Sequence, residues 1–185
     1  ADTPEKRWVL KSPAHLGSLD ALFREYPDAV VIQTHRDPVK VIASVSSLHF
    51  TVRGTSSDAT DARAIGGEQT DLWASMLART VKARSDGPER EPRVLDVLYR
   101  DLVADPIDVV RRIYAHIEEP FTADTDARMR RFLADNARDK HGTHRYDAAS
   151  FGLDAKTTRA RFSAYMDRFA VPREGDDDDA REVRE

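Results

Sequence analysis

Cysteine is absent from the 185 residues, which excludes disulfides, thiolate metal sites and cysteine nucleophiles. Long apolar runs are absent as well. No stretch approaches the ~18 residues that a membrane-spanning helix requires. Histidine is sparse, and His35, His49, His116, His141 and His144 lack the His-x-x-x-His spacing of zinc sites. There is no Gly-x-Ser-x-Gly turn, so a hydrolase nucleophile elbow is excluded. A Gly-rich Walker-type loop is missing too. A large charge excess is lacking: the formal net charge is −4, which gives no global reason to bind nucleic acid. The opening Ala1-Asp2-Thr3-Pro4-Glu5-Lys6 is polar, unlike a secretory signal. It has no initiator Met, and a strand-like run follows almost at once. The expectation is a chain cut inside a domain or between closely linked halves.

What is present suits a folded α/β chain. Hydrophobic residues make up 40% and can supply a core, while charged residues at 34% solvate the surface. Residues 1–172 are expected to be one piece of a domain, and 173–185 an acidic, disordered tail containing Asp176 to Asp179. The stretch from Arg128 to Arg145 is basic instead.

Periodicity suggests the elements. Arg7-Trp8-Val9-Leu10 reads as a short buried strand. Leu16, Leu19, Leu22, Phe23 and Tyr26 recur at helical spacing. Ala29 to Gln33 is continuous and β-branched, as in an inner parallel strand. Asp37-Pro38 and Asp105-Pro106 are helix starts, with Asp as cap and Pro in the first turn. Residues 51–67 and 85–92 read as loops around a helix bearing Leu72, Trp73, Met76, Leu77 and Val81. Val94 to Leu98 is a third strand. Helices around Phe132 and around Phe162 to Phe169 close the pattern. Strands alternating with helices imply a parallel sheet covered on both faces. Three strands are few for such a sheet, so more are expected upstream.

In open parallel sheets ligands bind at the carboxyl ends of the strands. Two polar clusters fall there. Lys11-Ser12-Pro13-Ala14-His15 follows the first run. Lys11 could neutralise charge on a transferring group, and His15 could act as a general base. Equally, Lys11 could be a solvated charge and His15 a helix cap. Thr34-His35-Arg36-Asp37-Pro38 follows the second strand. There Arg36 precedes a helix N-terminus, which already favours an anion. Ser44 lies about 9 Å further along that helix, at ~1.5 Å per residue. One phosphate could therefore touch both Arg36 and Ser44. The alternative is that Arg36 pairs with Asp37 or another acid, with Ser44 as packing. A third cluster, Lys140-His141-Gly142-Thr143-His144-Arg145-Tyr146, could hold a further anionic group or be a solvated basic loop.

Trp8-Val9-Leu10-Lys11-Ser12-Pro13-Ala14-His15-Leu16, followed by Val31-Ile32-Gln33-Thr34-His35-Arg36-Asp37-Pro38, resembles the bacterial branch of the sulfotransferase family. The resemblance runs over roughly residues 7 to 172. It implies a P-loop-like three-layer α/β sandwich, here incomplete at its N-terminus. It also implies 3′-phosphoadenosine 5′-phosphosulfate (PAPS) as donor and PAP as product. The family places an Arg after a strand and a Ser eight residues later on the donor's 3′-phosphate, which Arg36 and Ser44 match. Tyr99-Arg100-Asp101-Leu102 is similar to the family's Tyr-Glu-Asp-Leu, with Arg100 in place of Glu, and implies Tyr99 near the adenine. Lys140, His141, Gly142 and Arg145 fall where relatives close a basic loop on the 3′-phosphate. The family's Gly/Arg/Ser/Thr-rich phosphosulfate loop is not found here.

The implied activity is transfer of a sulfuryl group to a hydroxyl or amine of a small-molecule or glycan acceptor, in the cytoplasm. Lys11 and His15 would be its catalytic residues. His15 departs from the Lys-Thr-His order of cytosolic relatives. Two other readings stay open: a P-loop nucleotide kinase relative, and a non-catalytic fragment.

Overall fold

The computed structural model describes residues 7–136 and 147–175. The chain enters through a 3-10 turn, Pro13–Ser18, capped by Ser12. Helix α1 (Leu19–Glu25) follows and buries Leu19 and Phe23. Strand β1 (Val31–His35) leads directly into α2 (Pro38–Gly54). Pro38 has no N–H to lose in a first turn, and the Asp37 carboxylate accepts the Val39 N–H at 3.0 Å, so the helix starts where the Asp-Pro pair predicts. Asp61 caps α3 (Ala62–Asp86) in the same way. A 3-10 turn, Pro88–Arg93, leads into β2 (Val94–Leu98). The helices α4 (Tyr99–Ala104), α5 (Pro106–His116) and α6 (Ala123–Asp135) come next. The last pair is α7 (Ala155–Arg161) and α8 (Ser163–Arg168).

The two strands pair in parallel, with Val31 opposite Val94, Gln33 opposite Asp96 and His35 opposite Leu98. Parallel pairing puts their carboxyl ends on one edge of the sheet. Side chains alternate across a strand, so Val31, Gln33, His35, Val94 and Asp96 share a face. α1, α3 and α8 cover that face. One core cluster there joins Leu19, Phe23, Ala83 and Val94. A larger one joins Ile42, Phe151, Phe162, Met166 and Phe169, with Trp73 and Leu77 against it. Val97 points the other way and is fully buried, where α5 packs on β2 with Ile107 and Val109 inside. Thr34, on that second face of β1, is exposed. No helix among the described residues is long and apolar enough to cross a membrane.

Several sequence expectations need correcting. Arg7 to Leu10 forms no strand, and Trp8, Val9 and Leu10 are 77%, 87% and 68% exposed. A strand needs a neighbour for its N–H and C=O groups, and no described strand lies beside this run. The described sheet therefore has two strands rather than three. The loop expected over 51–67 shrinks to seven residues, because α2 continues to Gly54 and α3 begins at Ala62. Gly, Ser and Thr in that stretch gave weak periodicity, but packing of α2 on α3 extends both helices. The helix expected around Phe162 to Phe169 is α8, and α7 stands before it as a further helix that the periodicity did not mark.

Candidate anion site at the sheet edge

Arg36 follows β1 and Tyr99 follows β2, so the parallel register brings them together. The Arg36 guanidinium carbon lies 4.0 Å from the Tyr99 ring centroid, a cation–π distance. The outer edge of the guanidinium meets the Glu174 carboxylate. Nε donates to its two oxygens at 3.0 and 3.1 Å, and Nη2 donates at 2.9 Å. Burial alone would lower the pKa of Arg36, but the Glu174 carboxylate outweighs it and the net shift is upward. The alternative of an acid partner for Arg36 is thus realised, by a residue 138 positions away. It also shows a guanidinium edge presented to a carboxylate at both Nε and Nη2.

Asp37 sets this geometry. Its side chain is fully buried. Besides capping α2, it accepts from Arg159 Nε at 3.0 Å and Nη2 at 2.8 Å, and from the Glu174 backbone N–H at 2.7 Å. Arg159 Nη2 donates onward to the Glu174 carbonyl at 2.7 Å. The segment after α8 is therefore clipped across the β1–α2 junction as a strap. Further on, a Cβ placed on Gly175 would lie 3.2 Å from Lys40 Nζ, so the strap also crosses the first turn of α2. Lys40 and Ser44 are four residues apart and share one helix stripe. Ser44 is half-buried. No hydrogen bond joins Ser44 to Arg36, which precedes the helix that carries that stripe.

Lys11 and His15 are exposed. Lys11 does not end a strand as expected, and His15 sits inside the 3-10 turn. That turn is fixed to α3, where Thr80 Oγ1 donates to the Leu16 carbonyl at 2.6 Å. No hydrogen bond or ion pair joins Lys11 or His15 to the Arg36–Tyr99 pair. Lys140, His141, Gly142 and Arg145 lie outside the described residues. The chain after them is well anchored. Asp147 accepts from Ala149 N and Ser150 Oγ at 3.0 and 2.6 Å. Gly152 takes a left-handed conformation, φ 68°, which favours glycine. Gly66 lets the Phe151 carbonyl approach α3 so closely that a Cβ there would lie 2.0 Å from the oxygen.

Beneath the edge lies a polar layer that the sequence reading missed. His35, 1% exposed, meets Asp96 Oδ1 through Nε2 at 2.8 Å and the Tyr165 hydroxyl through Nδ1 at 3.2 Å. Its ring stacks on Phe169, with centroids 4.5 Å apart. Arg84 comes from α3 and donates to both Asp96 oxygens at 2.5 and 2.9 Å, and to both Glu91 oxygens at 2.8 and 2.5 Å. Burial would raise the Asp96 pKa, but hydrogen bonds from His35 and Arg84 hold it at about 2. Burial pushes the Tyr165 hydroxyl up. The available signal was alternation: Gln33, His35 and Asp96 put polar groups on one face of otherwise apolar strands.

A parallel sheet with an arginine and an aromatic ring gathered at its carboxyl edge defines an α/β chain of the ligand-binding type. Comparison with known proteins narrows that class. The sulfotransferase family model matches residues 1–123. The crystal structure of a sulfotransferase from Mycobacterium avium superposes with a TM-score of 0.79 at 32% identity, covering 91% of this chain and 43% of that one. A second, from Mycobacterium tuberculosis, gives 0.69 at 36% identity, covering 86% and 40%. An omega-hydroxy-beta-dihydromenaquinone-9 sulfotransferase of Mycobacterium tuberculosis is 28% identical over 137 residues, or 71% of this chain and 34% of the relative. The chain belongs to the sulfotransferase family. It spans about a third of the length of the curated relatives it matches. The nucleotide kinase alternative gives way to this assignment.

Proposed function

We propose that this chain carries the 3′-phosphate side of the PAPS site of a sulfotransferase. One observation carries the reading: Arg36 stands between two strand ends, stacked on Tyr99, with its guanidinium edge already holding an anionic group. That edge fits the residues a 3′-phosphate needs, since a phosphate offers the same paired oxygens as a carboxylate. Ser44 has a hydroxyl with no hydrogen-bond partner, and Lys40 no ion pair, among the described residues; both lie along the same helix stripe. Tyr99 supports Arg36 from below and would flank the adenine. Lys140, His141, Gly142 and Arg145 would add to the phosphate contacts.

When bound, PAPS supplies the activated sulfuryl group, whose S–O bond to the nucleotide breaks as a bond to the acceptor oxygen or nitrogen forms. His15 would take the proton released by the acceptor. Lys11 would stabilise charge on the departing nucleotide oxygen. A hydroxyl acceptor on a small molecule is the class named for the mycobacterial relative. The acceptor here is proposed to be of that class.

Calorimetric titration of the full chain with PAP tests the reading. Arg36→Ala is expected to weaken binding at least tenfold, equivalent to about 1.4 kcal/mol. Equal affinity of the two proteins would count against it. A folded chain that takes up no PAP would favour a non-catalytic module.

A further inference from the structure

An acceptor has to bring its hydroxyl to His15, so the surroundings of that residue bear on what the acceptor is. His15 stands in the 3-10 turn Pro13–Ser18, and that turn lies on α3. Thr80 Oγ1 donates to the Leu16 carbonyl at 2.6 Å, and a Cβ placed on Gly17 would lie 3.2 Å from Met76 Cγ. The turn therefore covers α3 at Met76 and Thr80. Leu72 lies one helical turn before Met76, on the same stripe, and is 50% exposed. Among the described residues it is the only large apolar side chain of α3 left so exposed. Beyond the covered stretch, in the other direction, the exposed residues of α3 are Arg79, Lys82, Ser85 and Asp86.

The neighbouring helix α2 carries more uncovered hydrocarbon. The two helices pack together, and Arg53 Nη2 donates to Glu68 Oε2 at 2.7 Å. Ile42 and Ala43, towards the other end of α2, share a core with Trp73 and Leu77. These two links fix an antiparallel register, in which Leu48 falls level with Leu72. Leu48 and Val52 are 62% and 58% exposed and share one stripe of α2. Leu48 is also one turn beyond Ser44. Apolar side chains exposed singly need no explanation, whereas a group gathered on adjoining helices marks a binding surface. This group lies between the helix stripe of Lys40 and Ser44 and the turn that bears His15.

We infer that the acceptor is an alcohol with an apolar body, which lies over Leu72, Leu48 and Val52 while its hydroxyl reaches His15. This rests on the reading of His15 as the group that takes the acceptor's proton. Leu72 and Leu48 then determine specificity. They favour a hydrocarbon body over a sugar or other polyol, whose hydroxyls would lose water against leucine and gain no partner. The nucleotide is read by other residues, so acceptor and donor affinities separate in the variants.

The test follows methyl and histidine NMR signals of the full chain during titration with 1-octanol and, separately, with glucose. 1-Octanol should shift the Leu72 and Leu48 methyls and the His15 ring along one binding curve, and glucose should shift none of them. Leu72→Ser is expected to weaken 1-octanol binding about fivefold and to leave PAP binding, measured by calorimetry, unchanged. The side chain is half exposed, so the fold does not depend on it, and a thermal melt checks this. Phe132→Ser removes a ring 65% exposed on α6 and should leave the 1-octanol curve as it is. Glucose moving His15 where 1-octanol does not, 1-octanol shifting the leucines without His15, or equal weakening by Leu72→Ser and Phe132→Ser would each overturn the proposal. So would a dimer in sedimentation that Leu72→Ser breaks, with no uptake of 1-octanol, because the leucines would then belong to a contact with a second copy. Failure of Arg36→Ala to weaken PAP would overturn the nucleotide reading and leave the 1-octanol result standing, so the two failures are distinguishable.

Discussion

Replacing Glu174 by glutamine keeps the length of the side chain and removes its charge. In the native arrangement its carboxylate lies 2.9, 3.0 and 3.1 Å from the Arg36 nitrogens. A phosphate arriving at that edge must first displace it. Exposed ion pairs contribute about 0.2–1 kcal/mol, and hydrogen bonds to charged groups about 1.5–3 kcal/mol. With side chains 33% and 23% exposed, this pair falls between those limits. Solvent screening favours the lower end. A difference of about 1 kcal/mol corresponds to about fivefold in Kd. Glu174→Gln is therefore expected to bind PAP about fivefold more tightly, measured by calorimetry. The strap should stay in place, because Asp37 and Arg159 hold Glu174 by its backbone N–H and carbonyl. A thermal melt checks that the fold is intact. Unchanged or weaker PAP binding by a normally folded Glu174→Gln protein would refute the idea that carboxylate and phosphate share one seat.

Three further outcomes concern the supporting structure. Arg84→Met takes the guanidinium away from Asp96 and Glu91, leaving them only His35 and Arg168, and the unfolding free energy should fall by about 2–3 kcal/mol, less than a fully buried pair would lose; a urea midpoint close to wild type contradicts this. Asp96 is held at about 2, below its ordinary 3.8, so the unfolded chain takes up that proton first as pH falls. The stabilisation is complete above about pH 4 and is lost as pH drops through about 2. Wild type should then lose more stability across that window than Asp96→Asn, and parallel losses would show that the carboxylate is not so engaged. Gly66→Ala puts a methyl 2.0 Å from the Phe151 carbonyl oxygen. Overpacking of this kind costs about 1–3 kcal/mol, and an unaltered melting temperature would mean that the 149–151 turn moves freely.

Local signals served the helix starts and the strands well. Asp37-Pro38 and Asp105-Pro106 stand where caps stand, because a carboxylate two or three residues from free N–H groups needs no tertiary help. The β-branched run at Val31 and the apolar run at Val94 became the two paired strands. Trp8 to Leu10 shows the limit of that logic: hydrophobicity marks a segment able to join a sheet, but pairing depends on a neighbour. The site was legible as single residues and not as partners. Arg36 and Tyr99 were both named, yet their stacking depends on register across the sheet. Glu174 and Arg159 could not be found by local pattern, since each meets its partner across more than a hundred residues. His35 was noticed in a motif and overlooked as the centre of the buried layer.

The clasp at Asp37 bears on how the chain folds. Its partners Arg159 and Glu174 lie 122 and 137 positions downstream. A carboxylate with no exposed surface cannot enter the interior alone without a large desolvation cost. During synthesis from the N-terminus, the β1–α2 junction must therefore wait, hydrated, until the last helices emerge. Closing so long a loop is entropically slow. Native burial at this corner thus cannot precede the docking of Arg159 and Glu174, and shortening the chain before residue 159 would leave the start of α2 wet and its first turn unlocked.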